Sequence, residues 1–275
     1  MDIKKTVLYH ILRRIYFIAK RVIPQKSASA EEYKQENKKD REINTFYNSI
    51  TESAIKEFKT QKGVFNDFSL AESSVRAFCY HLLMQKQLSY HICEFGGGQS
   101  TIFWDILSNY VGIKVTTYEH DPEWAKYLQE RIVNKDIFIS YCKLMQVDDD
   151  SREAMFFNAS ESIQVWDSSK HDISPDQFKN PTLRGAFYNL EPEDFPKTKI
   201  DAIILDGPHG NGRSMCFPLF FKHIKSGTLI LVDDFHHYPF LDDLGRLFKF
   251  DILEERQYQH SNKGWVVLRV TEKLF

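Results

Sequence analysis

Five acids in this chain each stand at or near the end of a short apolar run: Glu94, Glu119, Asp148, Asp206 and Asp233. Glu94 leads into Gly96-Gly97-Gly98-Gln99-Ser100-Thr101, and Glu119 into His120-Asp121-Pro122. Asp148 opens a run of three aspartates, Asp206 precedes Gly207-Pro208-His209-Gly210, and Asp233 precedes Asp234-Phe235-His236-His237. Three consecutive glycines are costly in any regular element, because each loses the most backbone entropy on folding. They make sense where the chain turns sharply and a ligand comes against bare backbone at a helix start. An acid a little over 20 residues beyond such a loop, at the end of the next strand, can accept the hydroxyls of a ribose. Glu119 has that spacing, which points to an adenosine-containing ligand. A dinucleotide fingerprint starting at Gly96 finds its second glycine at Gly98, but Thr101 holds the third position. No Gly-Lys-Ser/Thr follows, so a P-loop is excluded.

The elements that must position these residues follow from periodicity. Ile92–Phe95, Lys114–Glu119, Tyr141–Val147, Ile200–Leu205 and Thr228–Val232 read as strands. Helices are predicted over about 100–110, from an Asp121 cap with Pro122 to about Asn134, over 213–224 with a kink at Pro218, and over 239–248. Ser69-Leu-Ala-Glu72 has the capping-box form and starts another helix running to Leu83. Phe250–Gln257 and Trp265–Val270 flank a turn at 261–264 and read as an antiparallel pair. Strands alternating with helices predict an α/β fold, a doubly wound and mostly parallel sheet with this hairpin at its C-terminal end. Ligands of such sheets bind beyond the carboxyl ends of the strands, where all five acids fall.

Glu94-x-Gly96-x-Gly98-x-Ser100 together with Glu119 resembles the cofactor site of class I S-adenosylmethionine-dependent methyltransferases. The resemblance covers about residues 69–275 and implies a seven-stranded sheet ending in an antiparallel hairpin. It implies a cofactor-binding set of Glu94, Gly96, Gly97, Gly98, Ser100, Glu119, His120 and Asp148. Glu94 and the glycines would hold the methionine end, Glu119 the ribose, and Asp148 or a neighbour the adenine. Ser100-Thr101 after the loop, Glu119–Trp124 and Asp206-Gly207-Pro208 are also similar to plant glucuronoxylan O-methyltransferases over these short stretches. The glycine triplet and the long segment 148–199 depart from many members of the wider family.

For a hydroxyl acceptor, a His base or a divalent metal is the usual means of making the nucleophile. His209, His236 and His237 are the candidate bases, and Asp206 and Asp233 join His209 and His236 as candidate catalytic residues. Asp206, Asp233 and Asp234 form an all-oxygen set suited to Mg²⁺. They resemble the metal acids of catechol-type O-methyltransferases, which carry Asn where Asp234 stands; the alternative is that Asp206 and Asp233 orient loops and the cofactor amine. Arg213 either grips an anionic substrate or caps a helix. Segment 148–199, with Trp166, Phe178, Phe187 and Tyr188, reads as an insertion that covers the substrate or packs a small core of its own.

The rest of the chain sets bounds. Its 275 residues are 42% hydrophobic with 22 Phe and 13 Tyr, enough for a large aromatic core. A net charge of −2 argues against a nucleic-acid partner held by bulk charge. Four cysteines without metal-finger spacing suit a reduced, cytoplasmic setting. Residues 1–24 read as a basic amphipathic helix that could lie on the inner face of a membrane or dock a protein, and 25–68 as a charged linker and helix. The expected function is O-methylation of a carbohydrate or other small polar acceptor. The alternatives are a non-catalytic scaffold docked through its N-terminal helices and an NAD-dependent oxidoreductase.

Overall fold

A computed structural model describes residues 30–65, 69–173, 185–208, 210–258 and 264–275. The chain divides into two units, Met1–Ser49 and Ile50–Phe275. The basic stretch 1–24, Phe178 and His209 lie outside the described residues. Among those described, no helix is long and apolar enough to cross a membrane. Helix α1 runs through Ala30–Thr60, so much of the expected linker is helical.

The remaining elements are α2 (Glu72–Met84), β1 (Ser89–Phe95), α3 (Gln99–Ser108), β2 (Gly112–Glu119), α4 (Pro122–Arg131), β3 (Ile137–Tyr141), β4 (Leu144–Gln146), α5 (Asp149–Phe157), α6 (Ser162–Ser169), β5 (His171–Asp172), β6 (Ala186–Tyr188), β7 (Ala202–Leu205), a 3₁₀ helix (Gly210–Met215), α7 (Cys216–Leu219), β8 (Leu229–Asp233), α8 (Phe240–Gly245), β9 (Phe248–Gln257) and β10 (Gly264–Lys273). Seven strands form one sheet in the order β3-β2-β1-β7-β8-β10-β9. All neighbours are parallel except β10, which runs antiparallel to both β8 and β9. This is the doubly wound sheet with a C-terminal hairpin expected from the sequence. The order reverses at β1 and β7, which places the switch point between Phe95 and Leu205.

Two local readings need correction. The third sheet strand is Ile137–Tyr141, not Tyr141–Val147; Leu144–Gln146 turns away into a separate three-stranded antiparallel sheet, β5-β4-β6. At the sheet edge β3 buries Ile137 and Ile139 but exposes Phe138 and Tyr141, a weak apolar signal for so short a strand. Helix α2 begins after Ala71, so Ser69 does not cap it; Ser74 Oγ donates instead to Ala71 O at 2.7 Å.

The described residues of segment 148–199 pack into the main core rather than one of their own. Met155, Phe156, Trp166, Phe187 and Tyr188 belong to one hydrophobic cluster with Phe95, Tyr118, Leu205, Phe220 and Val232 of the main sheet and its helices. Phe95 is the hub: it stacks on Tyr118 at 4.9 Å, meets Phe220 edge-on at 5.1 Å and Phe187 at a tilt, also at 5.1 Å. Aromatic pairs of this geometry contribute about 0.5–1.5 kcal/mol each beyond burial, so the strand preceding the glycine loop is held firmly.

Candidate functional site

The glycine loop is built from beneath by Glu94. Its side chain is completely buried, and its carboxylate accepts from Thr101 Oγ1 at 2.6 Å, Thr117 Oγ1 at 2.8 Å and Trp104 Nε1 at 2.8 Å. Burial pushes its pKa up, and these hydrogen bonds, with one from Ser100, act against that. Thr101 Oγ1 also accepts from Gly98 N at 3.0 Å, so a loop amide is tied through one hydroxyl to the buried acid. Ser100 is likewise buried. Glu94 and Ser100 thus stand under the loop, joining β1, β2 and α3.

The three glycines have three different environments. Gly96 has φ +95°, and a Cβ there would lie 2.7 Å from Gly207 N, so both conformation and crowding require glycine. At Gly97 a Cβ would meet Leu128 Cδ1 at 2.8 Å and Thr117 Cγ2 at 3.1 Å. Gly98 has an extended backbone, φ −171°, and a Cβ on it would have nothing within 4 Å. Neither its conformation nor its protein neighbours explain the third glycine.

Glu119, 4% exposed, leans over the same loop. Its Oε1 accepts from the amides of His120 and Asp121, both at 2.7 Å, and stands 3.1 Å from His120 Nδ1. Its Oε2 accepts from Gly97 N at 2.8 Å. A carboxylate oxygen has two lone-pair sites, so Oε2 keeps capacity for one further donor. Trp124 Nε1 donates to Gly97 O at 2.8 Å, holding the loop from its other side. Asp121 caps α4 as expected, accepting from Glu123 N and Trp124 N at 2.9 Å.

Beside Glu119 a cleft of about 560 Å³ opens between the ends of β2 and β3 and the small sheet. His120, Pro122, Tyr141, Leu144 and Ile173 are among its walls, with the ion-paired Lys143 and Asp172. Its size is that of a site for a drug-sized ligand. Asp148 is not among the lining residues; it is exposed and caps α5, accepting from Ser151 N at 2.7 Å, a bond that holds its carboxyl below the usual range.

At the ends of β7 and β8, Asp206 and Asp233 share a side-chain hydrogen bond. Burial raises the Asp206 pKa from 3.8 to about 6; Arg213 opposes the rise, while Asp234 and Glu119 add to it. Arg213 is 5% exposed and donates to Pro208 O at 2.9 Å and Asp233 O at 2.8 Å, so it pins the two strand-end loops to each other. It does not cap a regular α-helix: the expected helix 213–224 is a 3₁₀ turn followed by the four residues of α7, ending just after Pro218. Among the described residues no three His, Cys, Asp or Glu side chains converge to hold a metal ion. The Mg²⁺ set expected from Asp206, Asp233 and Asp234 is therefore not a grouping that the described residues form.

His236 is half-buried, and among the described residues neither ring nitrogen has a hydrogen-bond partner. Its Nδ1 lies 3.2 Å from where a Gly264 Cβ would stand, so Gly264 leaves room for the imidazole. His237 is exposed and packs on it at 4.5 Å between centroids. Tyr188, marked from sequence only as one aromatic of segment 148–199, lies with its hydroxyl against the Gly207 turn, a position the segment's loose pattern did not signal.

No protein-family model matches the chain, and no curated protein does. Among solved structures it is similar to a ribosomal protein L11 methylase from Lactobacillus delbrueckii subsp. bulgaricus, at 9% identity and a TM-score of 0.42 over 74% of this chain and 81% of that one. It is similar to a precorrin-6y C5,15-methyltransferase from Geobacter metallireducens, at 12% identity and 0.44 over 77% and 95%. A putative caffeoyl-CoA O-methyltransferase from Staphylococcus aureus gives 14% identity and 0.40 over 80% and 91%. At these values the likeness adds nothing to what the sheet order itself shows.

Proposed function

We propose that the chain is an S-adenosylmethionine-dependent methyltransferase acting on an oxygen of a small polar or carbohydrate acceptor. The observation that carries this reading is the open face of Gly98, a glycine without an internal reason, beside an acid with one free acceptor site and a cleft of about 560 Å³. A ligand lying against Gly98 with a ribose hydroxyl on Glu119 Oε2 supplies the missing reason. The adenine then falls in the cleft beside His120, and Glu94 and Ser100 act from below by fixing the loop.

When bound, the cofactor supplies an electrophilic methyl group on a sulfonium. The chain's part is to hold that group in line with the acceptor, largely a proximity effect. Among the described residues Glu119, Asp206, Asp233 and Asp234 outnumber the one buried cation, Arg213, and such a field suits a positively charged ligand. His236, whose buried ring nitrogens lack a partner among the described residues, is the base this reading assigns to the acceptor hydroxyl. The carbohydrate class rests on the short likeness around Ser100, 119–124 and 206–208.

Calorimetry with S-adenosylhomocysteine tests the reading. Wild-type protein is expected to bind, and Glu119→Ala to lose most of the affinity, since it removes both the ribose contact and the anchor of Gly97. No binding by wild-type protein at millimolar ligand would remove the proposal. Protection by NAD alone would return the oxidoreductase alternative.

A further inference from the structure

Tyr188 comes from β6 of the small sheet, not from the main sheet, yet its hydroxyl lies at the centre of the strand ends. A Cβ built on Gly207 would stand 2.6 Å from Tyr188 Oη and 3.0 Å from Gly96 Cα. The hydroxyl thus lies against the Gly207 turn, with the Gly96 turn next beyond it. Tyr188 is completely buried, and its Oη has no hydrogen-bond partner among the described residues. An unmatched buried hydroxyl is destabilising, so its presence in place of Phe needs a reason. The ring already has its packing: Phe95 at 5.8 Å, Phe187 at 5.3 Å and His120 at 6.1 Å. Burial keeps the phenol protonated, and Glu119 and Asp206 act in the same direction against Arg213.

We propose that Tyr188 is a positioning residue for the amino-acid end of the methyl donor, its hydroxyl taking up the polar groups of that end when they enter between the Gly96 and Gly207 turns. The inference rests on the methyltransferase reading above. A phenol is at once a donor and an acceptor, and a zwitterionic amino acid offers an ammonium N–H and a carboxylate oxygen to match. The neighbouring carboxylates of Glu119 and Asp206 favour the ammonium on that side. Entry requires Phe95 O to release the amides of Asp206 and Gly207, which donate to it at 3.0 and 2.7 Å, but no glycine side chain stands in the way.

The test is Tyr188→Phe, which keeps the ring and removes the hydroxyl, titrated with S-adenosylhomocysteine and with 5′-methylthioadenosine, which lacks the amino-acid end. The variant is expected to bind S-adenosylhomocysteine at least fivefold more weakly, to bind 5′-methylthioadenosine within twofold of wild type, and to melt at or above the wild-type temperature without ligand. Tyr118→Phe is the control: its hydroxyl already donates to Asp194 O at 2.6 Å, so it should lower the melting temperature without changing the ratio of the two affinities. An unchanged S-adenosylhomocysteine affinity in Tyr188→Phe, or an equal loss for both ligands, overturns the role of Tyr188 and leaves the methyltransferase reading standing. Failure of wild-type protein to bind either ligand overturns that reading and this role with it.

Discussion

Substituting alanine in turn at Gly96, Gly97 and Gly98 separates what the loop needs for folding from what it needs for a ligand. At Gly96 the new methyl group would lie 2.7 Å from a backbone nitrogen, on a residue held at φ +95°. Backbone strain of about 1–3 kcal/mol and overpacking of about 1–3 kcal/mol both apply there. At Gly97 the nearest atom is the end of the Leu128 side chain, at 2.8 Å, which can turn aside. The cost there should be about 1–2 kcal/mol. At Gly98 no atom lies within 4 Å and the backbone is extended, so alanine should leave the fold unharmed or stabilise it by about 0.4–1 kcal/mol through the unfolded state.

With roughly 2–4 °C per kcal/mol for a domain of this size, Gly96→Ala should melt about 5–20 °C lower, and Gly98→Ala at or slightly above wild type. Binding should rank differently. Gly98→Ala places a methyl group where the ligand is held to lie, and S-adenosylhomocysteine affinity should fall at least about tenfold, 1.4 kcal/mol or more. Melting curves with and without ligand, backed by calorimetry, read both quantities on the same samples. A Gly98→Ala protein that binds within twofold of wild type would refute the argument, because the open side of Gly98 would then not be the ligand side. A loss of stability matching that of Gly96→Ala would refute it as well.

Two further outcomes follow from buried acids. Glu94→Gln puts an amide NH₂ among three donors, Thr101, Thr117 and Trp104, and should cost about 1–3 kcal/mol in thermal unfolding despite removing a buried charge; a variant as stable as wild type would contradict the hydrogen-bond account. Asp206 binds its proton more tightly folded, near pH 6, than its ordinary value of 3.8 allows unfolded, so its penalty is complete above pH 6 and is relieved as pH falls toward 4. Asp206→Asn should therefore be more stable than wild type at pH 7.5, by at most about 3 kcal/mol, with the advantage shrinking by pH 5; a difference independent of pH would sink the reasoning.

The sheet was legible because its strands are short apolar runs closed by an acid or a glycine. The Asp121-Pro122 helix start was legible because both residues act locally. What escaped depended on distance. The run from Tyr141 to Val147 is apolar enough for a strand, but the chain turns after Tyr141, and the edge position of β3 leaves Phe138 and Tyr141 exposed, which blurs its period. Ser69 had a partner in Glu72 at the right spacing, yet the helix begins two residues later, after Ala71. Asp148 sits after a strand, as a cofactor acid should, but its carboxylate is committed to Ser151 N at a helix start. Glu94 and Ser100 were legible as site residues; only the structure shows them facing inward, since a motif records order and not direction.

The position of the 148–199 segment changes what the site can admit. Read from sequence, the segment could have covered a substrate from outside. In the fold its β6 carries Tyr188 under the glycine loop, and β4 and β5 form one wall of the cleft beside Glu119. On the proposed reading it contributes to the donor side, and the carboxyl ends of β1, β2 and β3 carry the loop, Glu119 and the cleft. In a parallel sheet the ends left for an acceptor are those of β7 and β8. There burial raises the pKa of Asp206, Arg213 ties both loops through their carbonyls, and among the described residues His236 keeps two buried nitrogens without partners. An acceptor entering over Pro208 and Asp233 would meet a hydrogen-bonding floor and an unengaged imidazole. Arg213 gives Nε and Nη1 to two backbone carbonyls, so its first task is to fix the loops over which the proposed acceptor would enter.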